Sequence, residues 1–154
     1  MKVLCDANVL VRAAMSVDGP AAAVLAIVKD PPHQLAVSNV LINEARRILA
    51  SERLRKYHAL NDAAIDTFLS GVLVHAALIV VPASVPAVVT QDPLDDHVVF
   101  AAQAAQADVI CTRDNDLREP GVLAYCSLHA IRILTDLELL AELRPPSVPV
   151  NPPS

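Results

Sequence analysis

Three features of the sequence predict an α/β fold, a three-layer α/β/α sandwich around a central parallel sheet. The first is a set of short, continuous apolar runs, Lys2 to Cys5, Leu35 to Val37, Leu78 to Val81, Val109 to Thr112 and Ile131 to Leu134. They lack the alternation of a half-exposed strand and suit strands covered on both faces. The second is the material between them, which is rich in Ala, Leu and Val at helical spacing, in a chain that is 54% hydrophobic but only 3% aromatic. Such a core is built from aliphatic side chains, as in sheets flanked by Ala-rich helices. The third is the placing of acids at strand ends: Asp6 directly after the first run and Asp114 just after the fourth. Open α/β sheets bind ligands at the carboxyl ends of their strands.

Taken in order, Lys2 to Cys5 is the first strand and Ala7 to about Ser16 the first helix. Asp6 lies between them, where it either caps the helix or presents a carboxylate at the strand edge with the amide of Asn8 two residues on; position alone favours neither. Asp18-Gly19-Pro20 turns the chain into a helix from Ala21 to Lys29, which Asp30-Pro31-Pro32 stops. After the strand at Leu35, Ser38 caps an amphipathic helix through Leu41, Ala45, Ile48 and Leu49. Glu44 shares that apolar side, and a carboxylate near a buried face must be paired or bind a cation. A short helical piece from Arg53 to Leu60 precedes a helix capped by Asn61 or Asp62 and running to about His75. After the strand at Leu78, Pro82 to Thr90 reads as an extended loop.

The stretch Asp92 to Asp116, DPLDDHVVFAAQAAQADVICTRDND, is a helix followed by a strand with acids at both ends. Asp92 can cap the helix, Pro93 suits its first position, and the chain stays helical to about Gln106. Capping and the helix dipole, the latter at roughly 0.3–1 kcal/mol per acid, account for Asp92 and Asp95. They do not account for a third acid, Asp96, nor for Asp114 and Asp116 beyond a buried strand. Beyond Pro120-Gly121 come the last strand and a closing helix from Thr135-Asp136 to Leu143. The domain is thus expected at 1–143. The tail 144–154, with five prolines, is expected to be disordered.

Composition removes several classes. With 154 residues one domain suffices, and three glycines leave no phosphate loop or dinucleotide fingerprint. The longest apolar stretch, Val72 to Val89, is broken by His75, Pro82, Ser84 and Pro86 and does not read as a membrane span. Asp6 and Arg12 fall where a signal peptide would be apolar, so a cytoplasmic protein is expected. Cys5, Cys111 and Cys126 form no C-x-x-C and read as small core hydrophobes, and the five histidines have no zinc-ligand spacing. A net charge of −5 counts against a broad basic nucleic-acid surface. Arg46, Arg47, Arg53, Arg55 and Lys56 nevertheless place five of the twelve basic residues between positions 46 and 56. They form either a solvated helix face or a patch that contacts RNA phosphates.

Carboxylates from separate parts of the chain cannot converge uncompensated, because like charges in a partly buried site raise one another's pKa. A divalent cation relieves this, and hard oxygen donors without a His or Cys set point to Mg²⁺ or Mn²⁺. Such an ion clamps a phosphodiester and activates water, so hydrolysis of a nucleic-acid backbone is the natural reaction.

Strand-Asp6-Ala7-Asn8, Glu44 on a helix after Ser38, Asp92-Pro93-Leu94-Asp95-Asp96, and Thr112-Arg113-Asp114-Asn115-Asp116-Leu117 together resemble the PIN domain family, and within it the toxins of VapBC-like toxin–antitoxin systems. The resemblance covers nearly the whole chain to Leu143. It implies a Mg²⁺- or Mn²⁺-dependent endoribonuclease with Asp6, Glu44, Asp96 and Asp114 as the acidic, metal-holding quartet, supported by Asn8, Thr112 and Asp116. Asp96 is taken over its neighbour because its distance to Thr112 fits the family's helix-to-strand spacing, with Asp95 in reserve. The resemblance also implies an RNA substrate, a small antitoxin partner and a homodimer. The tail has no counterpart in the family, and few aromatics are present for base stacking. Two rivals stand beside this reading. An Asp-nucleophile phosphatase would have a second Asp at position 8, where this chain has Asn8, and a late lysine, which it lacks. A catalytically silent PIN-like scaffold that binds RNA or protein has no such mark against it.

Overall fold

The computed structural model describes residues 1–146 and 152–153. Most of the proline-rich tail expected to lack a packed element, 147–151 and 154, lies outside the described residues. Five parallel strands form one sheet: β1 (Lys2–Cys5), β2 (Gln34–Ser38), β3 (Ala76–Ile79), β4 (Val109–Cys111) and β5 (Arg132–Leu134). Their order is β3-β2-β1-β4-β5, with β1 in the middle. Chain order reverses between β1 and β4, the switch point at which an open parallel sheet leaves a crevice beyond its strand ends. Register puts Cys5 opposite Cys111, so the residues that follow, Asp6 and Thr112, emerge side by side.

Helices cover both faces. On one side α1 (Ala7–Met15), α2 (Pro20–Val28), α3 (Asn39–Ala50), α5 (Asp62–His75) and α8 (Asp136–Leu143) pack on one another. On the other, α6 (Asp96–Ala105) lies across β1, β2 and β3, and α7 (Pro120–Leu128) against β5, linked by Tyr125 Oη donating to Gln103 Oε1 at 3.4 Å. The short α4 (Glu52–Arg55) follows α3. Between the layers Leu4, Leu10, Leu35, Leu41, Ile65, Leu69 and Ile110 are fully buried. At about 1.5–3 kcal/mol per side chain, this aliphatic packing holds the fold without disulfides, and all three cysteines are buried and free.

The expected elements are present with four differences, the first being that the helical piece expected from Arg53 to Leu60 is only the single turn α4. β3 lies two residues earlier than the apolar pattern suggests, because pairing of Leu35 with Ala76 sets the register and Val81 N–H donates to Asn39 Oδ1 at 2.9 Å instead of joining the sheet. The helix expected from Asp92 opens as a 3-10 turn over Pro93–Asp95, with α6 starting only at Asp96. The stretch from Pro120, read as a connection, is the helix α7, with Pro120 at the first position, where its missing N–H leaves nothing unpaired. No single helix among the described residues is long and apolar enough to cross a membrane.

Candidate metal centre

Asp6 is held where β1 ends. Its Oδ1 accepts from the Ala7 amide at 2.7 Å, and its Oδ2 accepts from Thr112 Oγ1 at 2.6 Å and Asn8 Nδ2 at 3.0 Å. It therefore both caps α1 and stands at the strand edge, the two roles its position allowed. Asn8 and Thr112 tie β1 to β4: Asn8 Oδ1 accepts from the Arg113 amide at 3.4 Å, and Thr112 Oγ1 accepts from the Asp114 amide at 2.9 Å. Asp114 Oδ1 in turn accepts from the Asp116 amide at 2.9 Å, which folds the chain after β4 back on itself. Burial pushes the Asp6 carboxyl up to about 6 against the pull of Thr112 and Ala7, and the charges of Glu44 and Asp114 push it the same way.

The neighbours Asp95 and Asp96 part company. Asp96 is buried and its Oδ1 accepts from the amides of Val88 and Val89 at 2.7 and 2.6 Å, so this carboxylate clamps the loop that leads into the acidic turn. Asp95 is instead half-buried in the acidic cluster, where the Asp114 carboxylate acts on it. Burial first, then Asp114, then the charges of Asp92 and Asp6, push its carboxyl up to about 8. Its Oδ2 is shielded from solvent and has no hydrogen-bond partner among the described residues. Asp92, Asp95 and Asp116 each bring an oxygen within 4.8 Å of the others, although Asp92 also caps the 3-10 turn through the Leu94 amide at 3.0 Å.

Glu44, half-buried on α3, completes the acidic wall. Burial raises its carboxyl, the charge of Arg47 works against that, and Asp114 and Asp92 add to it. His97 Nε2 lies 4.0 Å from Glu44 Oε2, and burial lowers the imidazole from its ordinary value. These residues line an open cleft of about 410 Å³, with Asn43, Glu44 and Arg47 on one side and Asp92, Leu94, Asp95 and His97 on the other.

Of the five clustered basic residues, only Arg47 lines this cleft. Arg46 donates to Asp66 Oδ1 at 2.8 Å, Arg55 pairs with Asp62, and Lys56 lies over the Tyr57 ring at 5.2 Å. Arg53 is exposed on α4. Sequence reasoning missed Asp136, which is fully buried, binds the Arg113 guanidinium and lies 3.7 Å from Arg12. In sequence it is one more acid in a helical first turn, so nothing local marks it.

What gathers beyond β1 and β4 is a set of carboxylates from four segments of the chain. Most of the site's donors are oxygens, one of them a shielded carboxylate oxygen without a partner, and this set fits a hard divalent cation. Fold and site together define a parallel α/β protein with an acidic cluster, able to accept such an ion, at its switch point. The chain belongs to the PIN domain family, whose model matches residues 2–116. PIN domains are in general metal-dependent nucleases, and the acidic cluster agrees with that. Among solved structures, the crystal structure of PAE2754 from Pyrobaculum aerophilum is similar with a TM-score of 0.57 and 21% identity, over 93% of this chain and 89% of that one, a likeness of fold. Comparison with curated proteins gives no match.

Proposed function

We propose that this PIN domain is an endoribonuclease dependent on Mg²⁺ or Mn²⁺, and that it acts in the cytoplasm as the toxin of a toxin–antitoxin pair. The observation that carries the nuclease reading is the gathering of Asp92, Asp95 and Asp116, with oxygens within 4.8 Å of one another, beside Asp114 and Asp6, with no ion-paired cation among the described residues to balance them. Asp6, Asp95, Asp114 and Glu44 are the residues that would hold the ion, with Asp92 and Asp116 beside them. Asp96 serves instead by fixing the loop at Val88 and Val89. When bound, the cation supplies Lewis-acid polarisation of the phosphodiester and activation of water. Asn8 and Thr112 hold the Asp6 carboxylate in one orientation, so the wall is formed before substrate arrives. The resemblance of the four motifs to VapBC-like toxins supports a small antitoxin partner and a homodimer.

The deciding experiment is incubation of the purified chain with a mixed RNA pool and Mg²⁺ or Mn²⁺, beside an EDTA control and an Asp6→Ala control. Cleavage that needs the ion and Asp6 is the expected result. Intact RNA with either ion would turn the reading to a PIN scaffold that binds without cutting. Co-purification with the product of a neighbouring gene tests the antitoxin, and light scattering tests the dimer.

A further inference from the structure

Resting on the nuclease reading, we propose that Arg47 is the residue of the cleft that receives the substrate backbone, by binding the phosphate next to the scissile one on the α3 side. The arginines of this chain are mostly committed elsewhere. Arg12 and Arg113 face Asp136, Arg46 faces Asp66, Arg55 Asp62, Arg118 Glu138 and Arg132 Glu142. Among the described residues Arg47 has no ion-pair or hydrogen-bond partner, although it borders a wall of acids and its charge is felt at Glu44. A cation in the last turn of α3 is favoured by the helix dipole by about 0.3–1 kcal/mol, which accounts for a basic residue there but not for one over this cleft.

The arrangement has a direction. Glu44 is half-buried within the cleft while Arg47, nearly one helical turn further along α3, is exposed at its rim. Because Glu44, Asp95 and Arg47 line one cleft, a chain whose scissile phosphate lies over the acid-held cation would run past that guanidinium on the α3 side. The planar fork of Arg suits two phosphate oxygens, and a phosphate contact fixes register without reading sequence. Arg46, the adjacent residue, is turned to Asp66 on α5 and serves as the natural control.

The test uses the full chain and a short, labelled single-stranded RNA, with binding read by fluorescence anisotropy in Ca²⁺ over a KCl series. Arg47→Ala and the longer Arg47→Gln are expected to weaken binding roughly tenfold for every RNA sequence and to make the salt slope shallower by about 0.7. Arg47→Lys should regain part of the affinity, and in Mg²⁺ the loss should fall on KM rather than kcat. Arg46→Ala should match the wild type, and Mn²⁺ affinity by calorimetry should fall in none of the four variants, since removal of the Arg47 charge only lessens the repulsion felt by a cation at Glu44. Equal losses in Arg46→Ala, an unaltered Arg47→Ala and Arg47→Gln, or a loss of Mn²⁺ affinity would each overturn the assignment while leaving the nuclease reading intact. Failure of the wild type itself to bind or cut RNA with Ca²⁺, Mg²⁺ or Mn²⁺ would overturn both.

Discussion

Asp136 and Asp95 are both acids near the carboxyl edge of the sheet, and the chain treats them in opposite ways. Asp136 is fully buried, yet two guanidiniums, those of Arg113 and Arg12, face it. Asp95 is only half-buried, yet it faces Asp114, with Asp92 and Asp6 nearby, all of the same sign. Where a carboxylate serves the fold, the protein supplies the counter-charge. Where it does not, the acids can stay close only by protonation or by binding an ion from outside. That contrast is the physical argument for a cation site, independent of any family likeness. It also explains why Arg113, directly before Asp114, is no candidate for substrate: its charge already belongs to Asp136.

The contrast can be broken at its strongest point first. Asp136→Asn leaves Arg113 without its buried partner and should lower stability by on the order of 3 kcal/mol, read as a shift in the denaturation midpoint at constant slope. A loss within experimental error would mean that Asp136 is not a structural ion pair. Asp96→Ala removes the acceptor of two amides and should destabilise by about 1–3 kcal/mol, with the loop at Val88 becoming open to proteolysis. Asp95→Asn should act in the opposite direction. Relief of repulsion with Asp114 raises the melting temperature of the metal-free protein, while Mn²⁺ affinity falls by at least about tenfold. If Asp96→Ala removed the ion and Asp95→Asn did not, the roles of the two neighbours would have to be exchanged.

The smallest effect is that of pH. Asp95 has a folded value of about 8 against an ordinary 3.8, so as pH rises the unfolded chain loses its proton first and stability is lost through that window. Asp6, at about 6, acts in the same sense lower in the range. His97 is lowered from 6.5, so its contribution runs the other way and is complete by about that pH. Between pH 6.5 and 8 the metal-free protein should therefore melt at progressively lower temperature. Saturating Mg²⁺, or Asp95→Asn, should flatten the trend; a slope that survives both would place its origin outside the cleft.

Much of this was open to inspection in the chain itself, because it depends on neighbours in sequence. Short aliphatic runs read as parallel strands, which are buried at β1, β2 and β4 but partly exposed at the edge strand β3, and acids after β1 and β4 emerge at the sheet's carboxyl edge. Asp6, Asn8 and Asp114 were accordingly legible at that edge, Thr112 joined them through the resemblance of its motif, and hydrogen bonds join all four. Helix α7 was hidden because Pro120-Gly121 carries the same composition whether it turns the chain or starts a helix.

What the sequence could not decide is which of two adjacent side chains faces which neighbour. Consecutive helical residues point about 100° apart, so Asp95 and Asp96, or Arg46 and Arg47, differ by a rotation that local propensity does not set. The first pair was decided by a 3-10 turn before α6 and by two loop amides that needed an acceptor. The second was decided by Asp66, which α5 brings against α3. Likewise the buried acceptor for Arg113 comes from α8, twenty-three positions further along the chain. Periodicity and strand-end position are local and survive in the sequence alone, whereas the pairing of charges requires distant segments to be packed before any partner exists.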